Sequence, residues 1–185
     1  MQVTSHIAAL RSAGARLASA AEVAGLDASV PTCPDWRVRD LLLHTGGVHR
    51  WAASFLLDGT RRPSSADDAF FVAPAEEELV SWYRASHAAL VDVLLAADPD
   101  TACWAFLPAP SPLAFWARRQ AHETLIHRVD AESAAGEVTP VDPDLADDGI
   151  DELLNGFFGR RRGRLVADPP VTLALVATDT PAAWG

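Results

Sequence analysis

Residues 115–132, reading Phe115-Trp116-Ala117-Arg118-Arg119-Gln120-Ala121-His122-Glu123-Thr124-Leu125-Ile126-His127-Arg128-Val129-Asp130-Ala131-Glu132, contain no Gly or Pro and are rich in helix formers. That composition predicts one helix. At about 100° per residue, Trp116, Gln120, Glu123, His127 and Asp130 share a stripe. A helix facing a core ordinarily carries Leu or Ile there. An unpaired Glu buried in that stripe would cost several kcal/mol, so it demands a cation, a hydrogen-bond partner or water. The rest of the chain has to supply one.

Glu123 and His127 are four residues apart, one above the other on the helix, and can reach a single metal ion. The spacing alone is a weak signal. An exposed Glu–His pair, or a Glu held by Arg119 four residues earlier, accounts for it equally. A third ligand would decide, and a second helix, over residues 38–57, offers one. Its stripe reads Leu41, His44, Val48, Trp51 and Phe55, which points His44 inward among large apolar residues and leaves His49 expected on the surface. A lone inward His is ordinarily a satisfied core residue. Beside Glu123 and His127, however, His44 completes a three-ligand set with a position left open, the pattern of catalytic zinc. Asp40, one turn before His44, either orients that imidazole or simply favours the helix start.

A net charge of -10, with no basic cluster larger than Arg160-Arg161-Arg162, argues against nucleic acid as a partner. No apolar run approaches the roughly 18 residues of a membrane span. Arg11 and Arg16 fall where a signal peptide needs an unbroken apolar core. Cys33 and Cys103 make no disulfide framework, so a reduced, cytoplasmic setting is expected.

The remaining elements follow from pattern. Residues 6–24 predict an amphipathic helix with Ile7, Leu10, Leu17 and Ala21 on one face, Gly14 letting a neighbour approach closely, and His6 solvated. Residues 30–36, with Pro31 and Pro34, are extended. Residues 59–74 read as a loop, and 75–97 as a helix burying Leu79, Trp82, Leu90, Val93 and Leu94, with no role for His87. Trp104, Phe106, Pro108, Pro110 and Pro112 form a rigid connector that closes one end of a bundle or walls a pocket. A fifth helix starts at Asp142-Pro143, its acidic residues Asp147, Asp148, Asp151 and Glu152 a solvated face. After a linker over 160–170, residues 171–178 predict a strand with no evident partner. Such a strand packs alone, pairs between protomers as in a homodimer, or opens a second domain.

Two stretches carry a likeness. Cys33-Pro34-Asp35-Trp36-x-Val38-Arg39-Asp40-Leu41-x-x-His44 and the run from Phe115 to Glu132 resemble the mycothiol-dependent maleylpyruvate isomerase family, within the DinB/YfiT-like bundles. The resemblance implies a mainly α fold: a four-helix bundle with an extra helix and a C-terminal strand. Residues 1–160 would form the metal-binding bundle, and 161–185 a linker and the beginning of a small α/β domain. It implies the ligands His44, Glu123 and His127, the three chosen by the stripes, holding a divalent metal (zinc, with nickel as the alternative). Arg37 stands where the family has Ser or Thr. The implied cofactor is mycothiol, and the implied substrate a small organic acid such as maleylpyruvate. A metal-bound thiol ionises at neutral pH, and addition, bond rotation and elimination would convert a cis to a trans alkene diacid. Arg119, on the Glu123 face, would hold a substrate carboxylate or pair with Glu123 itself. Two rival functions remain: a metal-dependent transferase or hydrolase of another kind, and a non-enzymatic structural or regulatory bundle.

Overall fold

In the computed structural model, which describes residues 1–59, 67–159 and 168–185, these periodicities become four long helices. They are α1 (Val3–Ala24), α2 (Val38–Asp58), α3 (Leu79–Ala96) and α4 (Pro112–Ala135). They lie in the unit formed by residues 2–139; residues 140–185, with Met1, make a second. Each helix packs on two neighbours, in the cyclic order α1–α4–α2–α3. The first unit is a four-helix bundle.

The predicted face of α1 is the buried one: Ile7, Leu10, Leu17 and Ala21 are all at most 4% exposed. Gly25, at φ 83°, ends the helix, a conformation that costs glycine little. Between α1 and α2 the two prolines do exclude helix, and the chain forms a hairpin, β1 (Ser29–Val30) with β2 (Cys33–Arg37). Fully buried Val30 anchors it, and Val38 N–H bonds to Ala28 O at 3.0 Å.

The reading of α2 needs correction. Leu41 and Phe55 are buried, but His44, Val48 and Trp51 are only half-buried, and His49 is fully buried rather than exposed. Because α3 and α4 flank α2 on two sides, its buried arc is wider than one stripe and takes in Leu42, Thr45, His49 and Ala52. Gly46 and Gly47 lie on that arc, where a Cβ would sit 2.3 Å from the rings of Trp82 and Phe71 respectively.

Similar corrections apply to two more histidines. His6, expected in solvent, is 4% exposed, its ring 5.8 Å edge-on from that of His122. His87 is 8% exposed and its Nε2 lies 3.1 Å from Leu10 O. On α3, Leu79, Leu90 and Leu94 are buried as expected; Tyr83 joins them, while Trp82 and Val93 are only half-buried. A single-stripe reading misses Tyr83 because α3 is also packed between two neighbours.

The connector closes an end of the bundle by packing. Phe55 stacks on Trp116 at 5.0 Å, Phe106 meets Phe115 at 4.7 Å, and Trp116 Nε1–H donates to Trp104 O at 2.9 Å.

In the second unit, Asp142 caps α5 (Pro143–Asp151) by accepting from Leu145 N–H at 3.2 Å, and a π-helical stretch, Glu152–Phe158, continues it. The expected strand over 171–178 is shorter, β3 (Leu175–Val176), and it has a partner, β4 (Ala183–Trp184). That partner lies just beyond a turn, and its two residues carry no alternation that the sequence could reveal. Parts of the 59–74 loop (60–66) and of the linker (160–167), with the Arg160 cluster, lie outside the described residues.

At Gly14 the approach is as close as at Gly46 and Gly47: a Cβ there would meet the His87 ring at 2.3 Å. Ala would add about 1 kcal/mol of helix propensity, against roughly 1–3 kcal/mol for overpacking a ring that Leu10 O holds in place. Gly14→Ala is therefore expected to lower the denaturation midpoint. Adding His87→Ala should remove most of the clash, so the double variant will lose less than the sum of the two single changes.

Candidate metal centre

Both ends of α4 are pinned, which fixes the rotation of its polar stripe. Ser111 Oγ accepts from Ala114 N–H at 3.1 Å, Pro112 opens the first turn, and Gly136 at φ 94° closes the helix. Trp116, fully buried, and Gln120, 1% exposed, seat the stripe in the core. One turn further on it emerges: the side chains of Glu123 and His127 are 28% and 13% exposed, and that of His44, across on α2, is 34% exposed.

The three predicted ligands converge. His44 Nε2 lies 3.6 Å and His127 Nε2 3.4 Å from the same oxygen, Glu123 Oε1, and the donor atoms all lie within 4.8 Å of one another. Bonds of about 2.0–2.1 Å at a tetrahedral ion separate neighbouring donors by roughly 3.3 Å, close to the two His–Glu separations. The chemistry fits too, with two imidazoles and a carboxylate as donors. Neither cysteine belongs to the group.

Each of the three side chains is held from behind or beside. Arg119 Nη2 donates to Glu123 Oε2 at 3.1 Å, leaving Oε1 to face the histidines. The helix pairing foreseen for Arg119 is therefore present. His127 Nδ1 meets Asp130 Oδ2 at 2.8 Å, and Thr32 Oγ1–H donates to Asp130 Oδ1 at 2.6 Å. The Trp36 ring lies 5.0 Å from that of His44 and stacks on His127 at 6.1 Å and 25°. A cleft of about 420 Å³ beside His44 is lined by Asp35, Trp36, Asp40, Leu43 and Phe71.

Charge follows from these contacts. Burial raises the Glu123 pKa, but the imidazoles of His127 and His44 beside it and the Arg119 charge outweigh it, holding the carboxyl well below the usual range. Burial disfavours the His127 cation, yet hydrogen bonds to Asp130 and Glu123 prevail and carry its pKa up to about 9. Asp130, opposed by burial, is lowered by its bonds to His127 and Thr32.

Of the two roles foreseen for Asp40, the structure displays the helix start: Asp40 Oδ2 accepts Arg37 N–H at 2.8 Å. Arg37 itself reaches back to Asp27 O at 2.6 Å, so the missing Ser or Thr is offset by Asp40. The carboxylate behind a ligand is Asp130 instead. It lay on the predicted stripe, three residues beyond His127, and that spacing was the available signal. Nothing local could have revealed Thr32, 98 residues away.

With this geometry in place, comparison gives a family. The mycothiol maleylpyruvate isomerase N-terminal domain model matches residues 7–132. The chain belongs to this family. No curated protein and no solved structure matches it. The matched span holds both motifs and all three ligand positions of the family resemblance, and it runs from α1 through most of α4.

A pH prediction follows for the metal-free isomerase-family bundle. The folded pKa of His127 is raised, so its contribution to stability is complete below about 6.5, the unfolded value, and is lost as pH rises through about 9. The metal-free thermal midpoint is expected to fall over that window, and NMR should place the His127 titration near its upper end. Glu123→Gln, removing a bond and a charge that favour the cation, should move that titration down.

Proposed function

We propose that this chain is the metal- and thiol-binding unit of an isomerase or thiol transferase acting on a small activated organic acid, of which maleylpyruvate is the example named by the family. The observation that carries this reading is the convergence of two imidazole Nε2 atoms on one carboxylate oxygen, at 3.6 and 3.4 Å. In this reading His44 Nε2, Glu123 Oε1 and His127 Nε2 hold a divalent ion, zinc first and nickel as the alternative. One carboxylate and two neutral imidazoles leave such a site at net +1, and a bound cation of that charge lowers the pKa of a thiol placed on it.

The chain's own residues then have separate tasks. Arg119 holds Glu123 Oε2, so the carboxylate offers one oxygen to the ion. It is also the guanidinium shared with a substrate carboxylate as the acid arrives. Trp36 presents an indole face against both histidines, excluding water from one side. The cleft beside His44 has room for part of a small-molecule ligand. Neither Cys103 nor Cys33 belongs to the group, so the thiol in this reading is an external one.

Purified protein is expected to carry about one divalent ion per chain, as a single three-ligand site allows. His44→Ala and His127→Ala should lose it in elemental analysis. Equal metal in wild type and both variants would count against the site. Stoichiometry is the better readout than identity, because expression can exchange one divalent metal for another.

Mycothiol added to the cobalt-substituted protein is expected to produce a sulfur-to-metal charge-transfer band and to release protons below the free thiol's pKa. If saturating mycothiol changes neither the spectrum nor the thermal midpoint, the thiol-dependent reading fails and a structural bundle becomes the better account.

A further inference from the structure

The tip of the β1–β2 hairpin has no evident part in the bundle's hydrophobic packing, yet its position is tightly defined. Val30 and Cys33 are paired, so Pro31 and Thr32 form the turn between them. Buried Val30 and the backbone bonds from Val38 N–H to Ala28 O and from Arg39 N–H to Leu26 O, at 3.0 and 3.1 Å, tie the hairpin down. β1 also packs against α4. The turn therefore brings the Thr32 hydroxyl to Asp130, a carboxylate only 4% exposed on α4, at 2.6 Å.

We infer that Thr32 and Asp130 are positioning residues that set the tautomer and ring orientation of His127 for metal binding. This rests on the metal reading proposed above. Asp130 is saturated from two directions: Oδ1 accepts from Thr32 and Oδ2 faces His127 Nδ1 at 2.8 Å. A carboxylate on Nδ1 requires that nitrogen to keep its proton when the ring is neutral, so Nε2, 3.4 Å from Glu123 Oε1, is the nitrogen whose lone pair is left for an ion between them. Without Asp130 the neutral ring is free to hold its proton on Nε2, where it cannot ligate. Thr32 prevents the alternative failure, rotation of the carboxylate about its own χ2, which is a broad torsion when nothing restrains it. Further along the same hairpin, Trp36 stacks on the His127 face at 6.1 Å. The hairpin thus acts on one ligand twice, through an edge and through a face. Asp40, one turn before His44, is instead engaged at the start of α2.

The consequence is measurable as metal affinity rather than as fold. Zinc dissociation constants, by competition with a chromophoric chelator, are expected to rise roughly 10–100-fold in Asp130→Ala, the range for removing such a partner. A smaller rise is expected for Thr32→Val, and Thr32→Ser should restore the wild-type value. Because Thr32 acts only through Asp130, Thr32→Val should cost nothing further in the Asp130→Ala background. In zinc-loaded wild type, ¹⁵N spectra should show His127 protonated at Nδ1 and metal-bound at Nε2. A merely structural role would lower the thermal midpoint without producing that coupling or that tautomer. If wild type binds zinc and the variants bind it within about twofold, or if Thr32→Val costs as much without Asp130, the positioning role is overturned while the metal site stands. If wild type binds no zinc at all, both fall.

Discussion

A carboxylate on the inward stripe of a helix must be matched by positive charge or by hydrogen-bond donors, and Glu123 is matched on both oxygens. Arg119 takes Oε2, while His44 and His127 face Oε1 from different helices. The pairing of α2 with α4 is tied to this arrangement, since His44 can reach Glu123 only if the two helices are adjacent and in one particular rotation. Its desolvation is partial, with all three ligand side chains keeping some exposure. That partial exposure lowers the desolvation cost of the charges.

Deeper in the bundle the polar groups are treated differently. His49 Nε2 lies 2.8 Å from Thr124 Oγ1, and burial, with His87 nearby, lowers its pKa so that the ring stays neutral. His87 is likewise depressed by burial and sits against Gly14. Tyr83 stacks on the His87 ring at 6.3 Å, its hydroxyl donating to Gly14 O at 3.3 Å. These contacts give the interior a neutral polar layer beneath the charged mouth. The separation of charge states follows depth: histidine beside two carboxylates becomes more basic, and histidine enclosed by aromatic and aliphatic groups becomes less so.

A hairpin and a three-residue spacing then connect packing to chemistry. Val30 is buried for the ordinary apolar reason, and the turn it anchors places Thr32 against Asp130. Asp130 in turn is within reach of His127 because one helical turn separates them. Small local rules, each with a single physical cause, add up to a ligand whose ring is restrained at its edge and its face.

What the chain determined by itself was the set of long helices and the candidate metal-binding side chains. Two motifs and two stripes located α2 and α4 and singled out His44, Glu123 and His127 as candidates, the i,i+4 spacing of Glu123 and His127 gaining weight only once His44 joined them. Periodicity also placed α1 with its buried face and close-packed Gly14. The depth of each histidine was not legible. His6, His49 and His87 were read as peripheral or without a role, and all are buried, because burial depends on how many neighbours a helix has rather than on its own pattern. Tertiary structure alone decided that α2 packs on two sides, that Thr32 meets Asp130 across 98 residues, and that Trp36 lies on both ligand rings. A hydrogen bond between distant residues leaves no periodic trace in either segment; it exists only once the backbone has brought donor and acceptor within about 3 Å.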